Sequence, residues 1–365
     1  ASQAAVRTAA AAPSTARTRI SGRRNMQYEQ LGATGVFVSR IALGTMTFGG
    51  AGTPPWSLVG GLDEKAADEL VGLALDAGVN LIDTADMYAA GECEEIVGRV
   101  LGSRRQDVLL ATKLFARMGS GPNDLGLSRL WVTRALEDSL RRLRTDHIDL
   151  YQIHSFDPLT PVEETLAALD DAVRQGKIRY IGASNLAAWQ MMKFLGASQS
   201  RGLERFVSQQ VYYSLAGRDI EREILPMAAD QKLATLVWSP LAGGFLSGNF
   251  DRNGTSDDTA RRALADFPPV DRERGWDIVD ALRVVAGWHG VSVARVALAW
   301  ALAQPGITSA IVGAKRPDQL TENLAAVDLV LTDEDLAELD AISAQPDPYP
   351  NWAQGAPDDR LPPHS

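Results

Sequence analysis

Four residues of this chain have the types and spacing to perform chemistry together: Asp83, Tyr88, Lys113 and His154. The first two fall in LIDTADMYAAGE (81–92), where an apolar start gives way to an acid and, five residues later, a tyrosine. A tyrosine ordinarily loses its proton near pH 10, so one used as an acid gains from a cation that stabilises the phenolate. Lys113, at the end of the next apolar run, supplies that cation, and Asp83 is the counter-ion that holds it charged. His154 has the chemistry to orient a carbonyl oxygen or join a proton relay. Such a set protonates an oxygen that is gaining negative charge. Taken singly, Tyr88 reads as rim packing, Asp86 as a solvated loop acid and His154 as a satisfied core histidine.

Other chemistries lack their residues. Histidine occurs only at 147, 154, 289 and 364, which makes no zinc cluster with the single cysteine, Cys93. No activated nucleophile or G-x-S-x-G stands in the chain, and no phosphate-cradling glycine motif joins a strand to a helix. A pair of carboxylates at strand ends, as glycoside hydrolysis requires, is missing too, because Asp83 stands alone. His147 and His289 fall in helix-terminal patterns, and Cys93, with no basic neighbour in sequence, reads as packing.

The elements that must position the four residues follow from hydropathy. Eight short apolar runs are seen: 40–45, 79–83, 107–113, 148–154, 178–185, 206–213, 234–240 and 309–315. Near-continuous β-branched runs suit parallel strands covered on both faces. Amphipathic stretches lie between them, including 63–78, 128–146 and 161–176. In the second, Leu130, Leu136, Leu140 and Leu143 are expected on one face; in the third, Thr160 is expected as the cap and Pro161 in the first turn. Eightfold strand–helix alternation predicts an α/β (β/α)8 TIM barrel. An N-terminal β-hairpin turning at 33–35 precedes it, and extra helices are expected between strands seven and eight (about 275–289 and 292–303) and at the C-terminus. In such a barrel reactive groups stand at strand C-termini. Those ends read Asp83, Lys113, His154, Ser184-Asn185, Gln209, Trp238-Ser239 and Lys315, all converging on one mouth.

The motifs NLIDTADMYAAGECEEIVGRVL, LLATKL, RLRTDHIDLYQIHSFDPLTPVEETLAAL, GKIRYIGASN, SQQVYYS, WSPLAGGFLSG and GAKRPDQLTEN occur in order across about 26–352. They resemble the aldo-keto reductases, in the branch of bacterial general reductases and potassium-channel β-subunits. The resemblance implies a (β/α)8 barrel that reduces aldehydes and ketones with NADPH, using Asp83, Tyr88, Lys113 and His154 as a catalytic tetrad. It implies that Ser184, Asn185 and Gln209 hold the nicotinamide carboxamide and that Trp238 stacks on its ring. Ser239, Leu241 and Gly243 would cover the pyrophosphate, and Lys315, Gln319, Glu322 and Asn323 would hold the adenosine phosphate. Thr45, Met46, Arg261 and Gly313 complete the expected cofactor contacts. Many family members carry Lys-Ser and then Arg in the last motif; here Gly313-Ala314-Lys315-Arg316 and Gln319 stand instead, which leaves open the cation that meets the 2′-phosphate. Two pairs are candidates there, Lys315-Arg316 and Arg261-Arg262. Phe48, Trp56, Tyr88 and the tail aromatics Tyr349 and Trp352 are candidates to line an apolar or aromatic substrate site.

Bulk properties agree with a small-molecule enzyme. The chain has 365 residues, is 45% hydrophobic and carries a net charge of −10, an acidic balance that disfavours nucleic acid or an anionic membrane as partner. One cysteine permits no intrachain disulfide and suits a reducing compartment, which gives a cytoplasmic expectation. Residues 1–25 hold five arginines and no acid. That is the composition of a transit peptide, and equally of a disordered leader or extension with Met26 as the start. The barrel is expected over 26–345, with an irregular, Pro-rich tail over 346–365. The expected function is NADPH-dependent reduction of aldehydes or ketones to alcohols, with Tyr88 as proton donor. Two alternatives stand beside it: a regulatory NADPH-binding subunit like the channel β-subunits, and a sugar or alcohol dehydrogenase run oxidatively. The channel group typically has Asn where His154 stands, which favours the enzyme.

Overall fold

A computed structural model describes residues 26–54, 56–252, 254–255 and 266–354. Strands β1 (Tyr28–Gln30) and β2 (Phe37–Ser39) form an antiparallel hairpin, closed by a hydrogen bond from Leu31 N to Val36 O of 2.8 Å. The barrel strands are β3 (Ile41–Gly44), β4 (Leu81–Asp83), β5 (Leu109–Leu114), β6 (Ile148–Ile153), β7 (Ile178–Ser184), β8 (Ser208–Tyr212) and β9 (Ala234–Trp238). After a short pair, β10 (Phe250–Asp251) and β11 (Gly254–Thr255), β12 (Ser309–Val312) joins β9 to β3 and closes the ring. The eight barrel strands are parallel, so the fold is the (β/α)8 barrel that strand–helix alternation predicts.

Register divides each strand into inward and outward residues, and the division decides what reaches the site. Ala42, Leu81, Ala111, Leu150, Ala234, Leu236 and Ile311 fill the barrel interior, and Leu31 and Val38 of the hairpin plug its lower end. The larger apolar cluster lies outside the wall, beneath the helices. The helix Glu64–Asp76 is capped by the Asp63 carboxylate, which accepts from Ala66 N, and Arg129–Leu143 is capped by Ser128. In the latter Leu136, Leu140 and Leu143 are buried, but Leu130 is 45% exposed. At 100° per residue Leu130 sits roughly 110° from the other three, so the expectation of a shared face does not hold. Thr160 does not cap the helix Val162–Arg174 either. Pro161 is itself the N-cap, with an extended ψ of 133°, and the Thr160 hydroxyl donates to Asp157 Oδ2 at 2.7 Å.

Between β9 and β12 stand the helices Arg272–His289 and Val293–Ala303, close to their expected bounds. His289 ends the first and is bonded through Nε2 to Asp335 at 2.7 Å, at the capped start of the helix Asp333–Ser343. The tail is less irregular than its prolines suggest, since Asn351–Gln354 forms one helical turn. No single helix among the described residues is long and apolar enough to cross a membrane; the pair Arg272–His289 and Val293–Ala303 passes only jointly, across a 97° bend.

Candidate active site

The site begins with a buried ion pair. Asp83 ends β4 and Lys113 lies near the end of β5, on inward positions of adjacent strands. Lys113 Nζ donates to Asp83 Oδ2 at 2.6 Å and to Thr84 O at 2.8 Å, with the two side chains 0% and 4% exposed. An ammonium removed from water this completely needs such partners. Burial lowers the Lys113 pKa, but Asp83 and Tyr88 more than reverse that, and the net shift is upward. Lys113 is therefore a fixed cation.

That cation lies 5.3 Å from the centre of the Tyr88 ring. Burial of the phenol pushes its pKa up, and Lys113 offsets part of the rise. Tyr88 is thus protonated across the neutral range while a cation waits beside the phenolate that proton loss would create. His154 follows β6, its ring edge-on to Tyr88 with centroids 6.1 Å apart. Burial, and then Lys113, lower its pKa to about 3, so the imidazole is neutral. His154 Nδ1 is buried without a hydrogen-bond partner among the described residues.

A second arc of polar groups runs along β7–β9. Asn185 adopts a left-handed φ of 56° and donates through Nδ2 to His154 O at 3.1 Å, while its Oδ1 accepts from Trp238 Nε1 at 3.0 Å. The Ser184 hydroxyl donates to Gln210 O at 3.0 Å. Gln209 does not face this arc. It pairs with Ala183 and Thr235 on the outer side of the wall, where its Nε2 donates to Ile224 O at 3.3 Å. Its neighbour Gln210 pairs with Ser184 and Leu236 and turns inward, donating to Asp83 Oδ1 at 2.8 Å. Gln152 adds a longer bond of 3.3 Å to the same oxygen. Pairing of Gln210 with the inward Leu236 of the next strand is what separates the two glutamines.

Beyond the arc, Trp238 lies parallel to Phe267, with centroids 5.8 Å apart and an interplanar angle of 11°, a neighbour with no local signal in the sequence. The loop after β9 turns at Ser239 (φ 53°) and Gly243 (φ 67°), where the Ser239 hydroxyl accepts from Gly243 N at 2.9 Å. A Cβ on Gly243 would stand 2.4 Å from Phe267 O, so only glycine fits, and Leu241 accepts from Gly244 N in the same turn. At the far end, Gly313 lies over Gly44 and Lys315 N donates to Gln319 Oε1 at 3.0 Å. Arg316 is bidentate to Asp318, and Glu322 is taken by Arg295 and Ser292. Asn323 is 7% exposed.

Other expected residues sit differently. Thr45 is fully buried, with N–H and hydroxyl on Asp83 O and its carbonyl accepting from Cys93 Sγ, so it braces Asp83 and turns no donor to the mouth; Met46 beside it is half-buried. Phe48 is fully buried and cannot meet a substrate. Trp56 does flank Tyr88, at 5.9 Å between centroids. Tyr349 and Trp352 face solvent against each other. Asp86 is no solvated acid, being fully buried. Arg261 and Arg262 lie outside the described residues. No group of three or more metal-ligating side chains occurs among the described residues. A cavity of about 630 Å³ lined by Asp170, Arg174, Ser198, Glu204 and Arg205 opens at the opposite end of the barrel and plays no part here.

Known proteins resemble the chain over most of its length. An uncharacterized oxidoreductase of Bacillus subtilis is 40% identical over 88% of this chain and 97% of its own length. A probable voltage-gated potassium channel subunit beta of rice is 37% identical over 87% and 96%, and the versiconal hemiacetal acetate reductase of Aspergillus parasiticus 34% over 86% and 96%. The aldo/keto reductase family model matches residues 40–344. With its parallel barrel and a buried Asp–Lys pair beside Tyr88 and His154 at the strand ends, the chain belongs to the aldo/keto reductase family of oxidoreductases.

Proposed function

We propose that the chain is an NADPH-dependent carbonyl reductase in which Tyr88 protonates the substrate oxygen. The observation that carries this reading is Lys113, locked to Asp83 at 2.6 Å and set 5.3 Å from the Tyr88 ring. In the reducing direction the phenol holds its proton until an oxygen beside it gains negative charge, and Lys113 then stabilises the phenolate left behind. Neutral His154 has an imidazole N–H to offer the same oxygen. A bound cofactor would supply the hydride, and Tyr88 the proton that completes the alcohol.

The residues present fit such a cofactor. Trp238, Ser184 and Asn185 form one end of an arc whose other end holds Lys315 and Arg316 at the start of the helix Pro317–Leu324. Gly243 lets the backbone between them approach closely. In this reading Gln210 braces Asp83 and so acts through the tetrad. Cations beside the adenosine end support NADPH over NADH, because only NADPH carries a 2′-phosphate. The similarity to a channel subunit favours one rival, a module that binds the cofactor without turnover.

A turnover screen separates the two. The purified chain, given NADPH and a panel of aliphatic, aromatic and sugar aldehydes and ketones, should consume NADPH with one class above the rest, measured at 340 nm. Tight NADPH binding with no turnover of any carbonyl would establish the rival.

A further inference from the structure

The outer face of the same wall holds a second group of ionisable side chains that the mechanism does not use. Asp86 lies on the loop from β4 to Tyr88. Its N–H donates to Lys113 O at 3.0 Å, extending the β4–β5 ladder past Asp83. Alternation from inward Asp83 therefore points Asp86 outward, toward the helices Glu92–Leu101 and Arg129–Leu143. Asp86 is fully buried there; neither carboxyl oxygen is bonded to another side chain among the described residues, and the Met87 backbone favours its ionised form. The Tyr151 hydroxyl, on β6, is likewise buried without a side-chain partner among the described residues.

Glu94, also fully buried, takes what the region offers. Its Oε1 accepts from Thr112 Oγ1 at 2.6 Å; its Oε2 accepts from Arg142 Nε at 2.7 Å and from Ser139 Oγ at 3.3 Å. The groups bearing on Asp86 are thus Glu94 from one helix, Arg142 from the next, the Tyr151 phenol from β6, and Lys113 from β5. Lys113 is already committed to Asp83 and Thr84 O, and Arg142 to Glu94. Two carboxyls share one guanidinium in a dry interface, so one of them keeps its proton, and the one without a side-chain bond is Asp86. Burial, then the charge of Glu94, raise the Asp86 pKa well above the usual range.

We infer that Asp86 is a positioning residue for Tyr88: as a neutral carboxylic acid it seats the 84–88 loop against the Glu94–Arg142 pair, and its ionisation unseats that loop. The inference rests on the reading of Tyr88 as proton donor, but its physical half does not. An acid whose folded-state pKa is raised favours the fold only while protonated. That advantage is lost as pH climbs from its unfolded value toward its folded one. Asn at this position keeps the shape and has no proton to lose.

The test compares the full chain with Asp86→Asn by hydrogen exchange of the 84–91 segment and by thermal unfolding, between pH 6 and 9. In the unsubstituted protein, exchange should accelerate beyond its intrinsic pH dependence, by up to about tenfold per pH unit, the limit for one titrating proton. Asp86→Asn should abolish that extra acceleration, and its melting temperature should exceed that of the unsubstituted protein by a margin that widens with pH. In the unsubstituted protein kcat should fall over the same pH range, and that fall should flatten in Asp86→Asn, with the KM for NADPH unchanged. Asp86→Ala, which leaves a gap, should lose kcat that Asp86→Asn retains. Identical exchange profiles for the two proteins would overturn the proposal, as would a stability margin independent of pH. A pH-dependent difference in exchange with superimposable kcat profiles would reduce Asp86 to a structural acid. Absence of turnover in both proteins would count against the reductase reading alone, since the exchange measurement still decides whether ionisation frees the loop.

Discussion

Two ends of the candidate site use ion pairs in opposite ways. At the tetrad, Lys113 and Asp83 are 0% and 4% exposed and hold each other at 2.6 Å. At the proposed adenosine end, Arg316 and Asp318 pair at 3.0 Å with 58% and 69% of their side chains exposed, and Arg295 pairs with a half-buried Glu322. The buried pair cannot be lost without stranding a charge, whereas a solvent-exposed pair contributes little and can exchange partners. The Asp83–Lys113 pair is therefore fixed, while the exposed Arg316–Asp318 pair can rearrange, as the proposed phosphate site requires.

The largest effect expected from breaking this contrast is at Asp83. Asp83→Ala leaves Lys113 buried with Thr84 O as its remaining bonded partner and should cost about 3–5 kcal/mol of stability by chemical denaturation, besides abolishing turnover. A variant as stable as the parent would show that the pair is not isolated from water. Next comes Lys315→Ala. A charge-assisted contact is worth about 1.5–3 kcal/mol, so NADPH binding should weaken roughly tenfold to a hundredfold with NADH little changed. Equal loss for both cofactors, measured by fluorescence titration, would make Lys315 a support of the fold. A smaller, qualitative effect concerns His154. With its pKa near 3, far below the usual value of about 6.5, it stays neutral, and kcat/KM should show no acidic limb between pH 5 and 8. A limb near pH 6–7 that vanishes in His154→Asn would contradict this.

The same contrast governs how much the sequence revealed. The barrel was legible because eight β-branched runs alternate with amphipathic stretches. The gathering of Asp83, Tyr88, Lys113 and His154 at one mouth was legible because polar groups ending apolar runs have few structural uses. Adjacent residues on one strand were harder. The run FVSQQVYY has no alternation to separate Gln209 from Gln210, and only pairing with Ser184 and Leu236 turns Gln210 toward Asp83. Asp83 and Asp86 are likewise three residues apart on opposite faces of the wall, and sequence alone gave Asp86 to solvent. Phe48 was misjudged for the same reason, since an aromatic near the mouth is not thereby in it. Phe267 reaches Trp238 from 29 residues along the chain, a contact made by tertiary folding with no local signal.

The role of Tyr88 is tested most directly by Tyr88→Phe, with turnover and NADPH affinity measured on the same preparation. The phenyl ring keeps the packing against Trp56 and His154 and removes the hydroxyl that carries the proton. The account predicts a loss of kcat of roughly 10²-fold or more with an unchanged NADPH dissociation constant. Turnover near the parent level in a variant that still binds NADPH would remove Tyr88 from the chemistry.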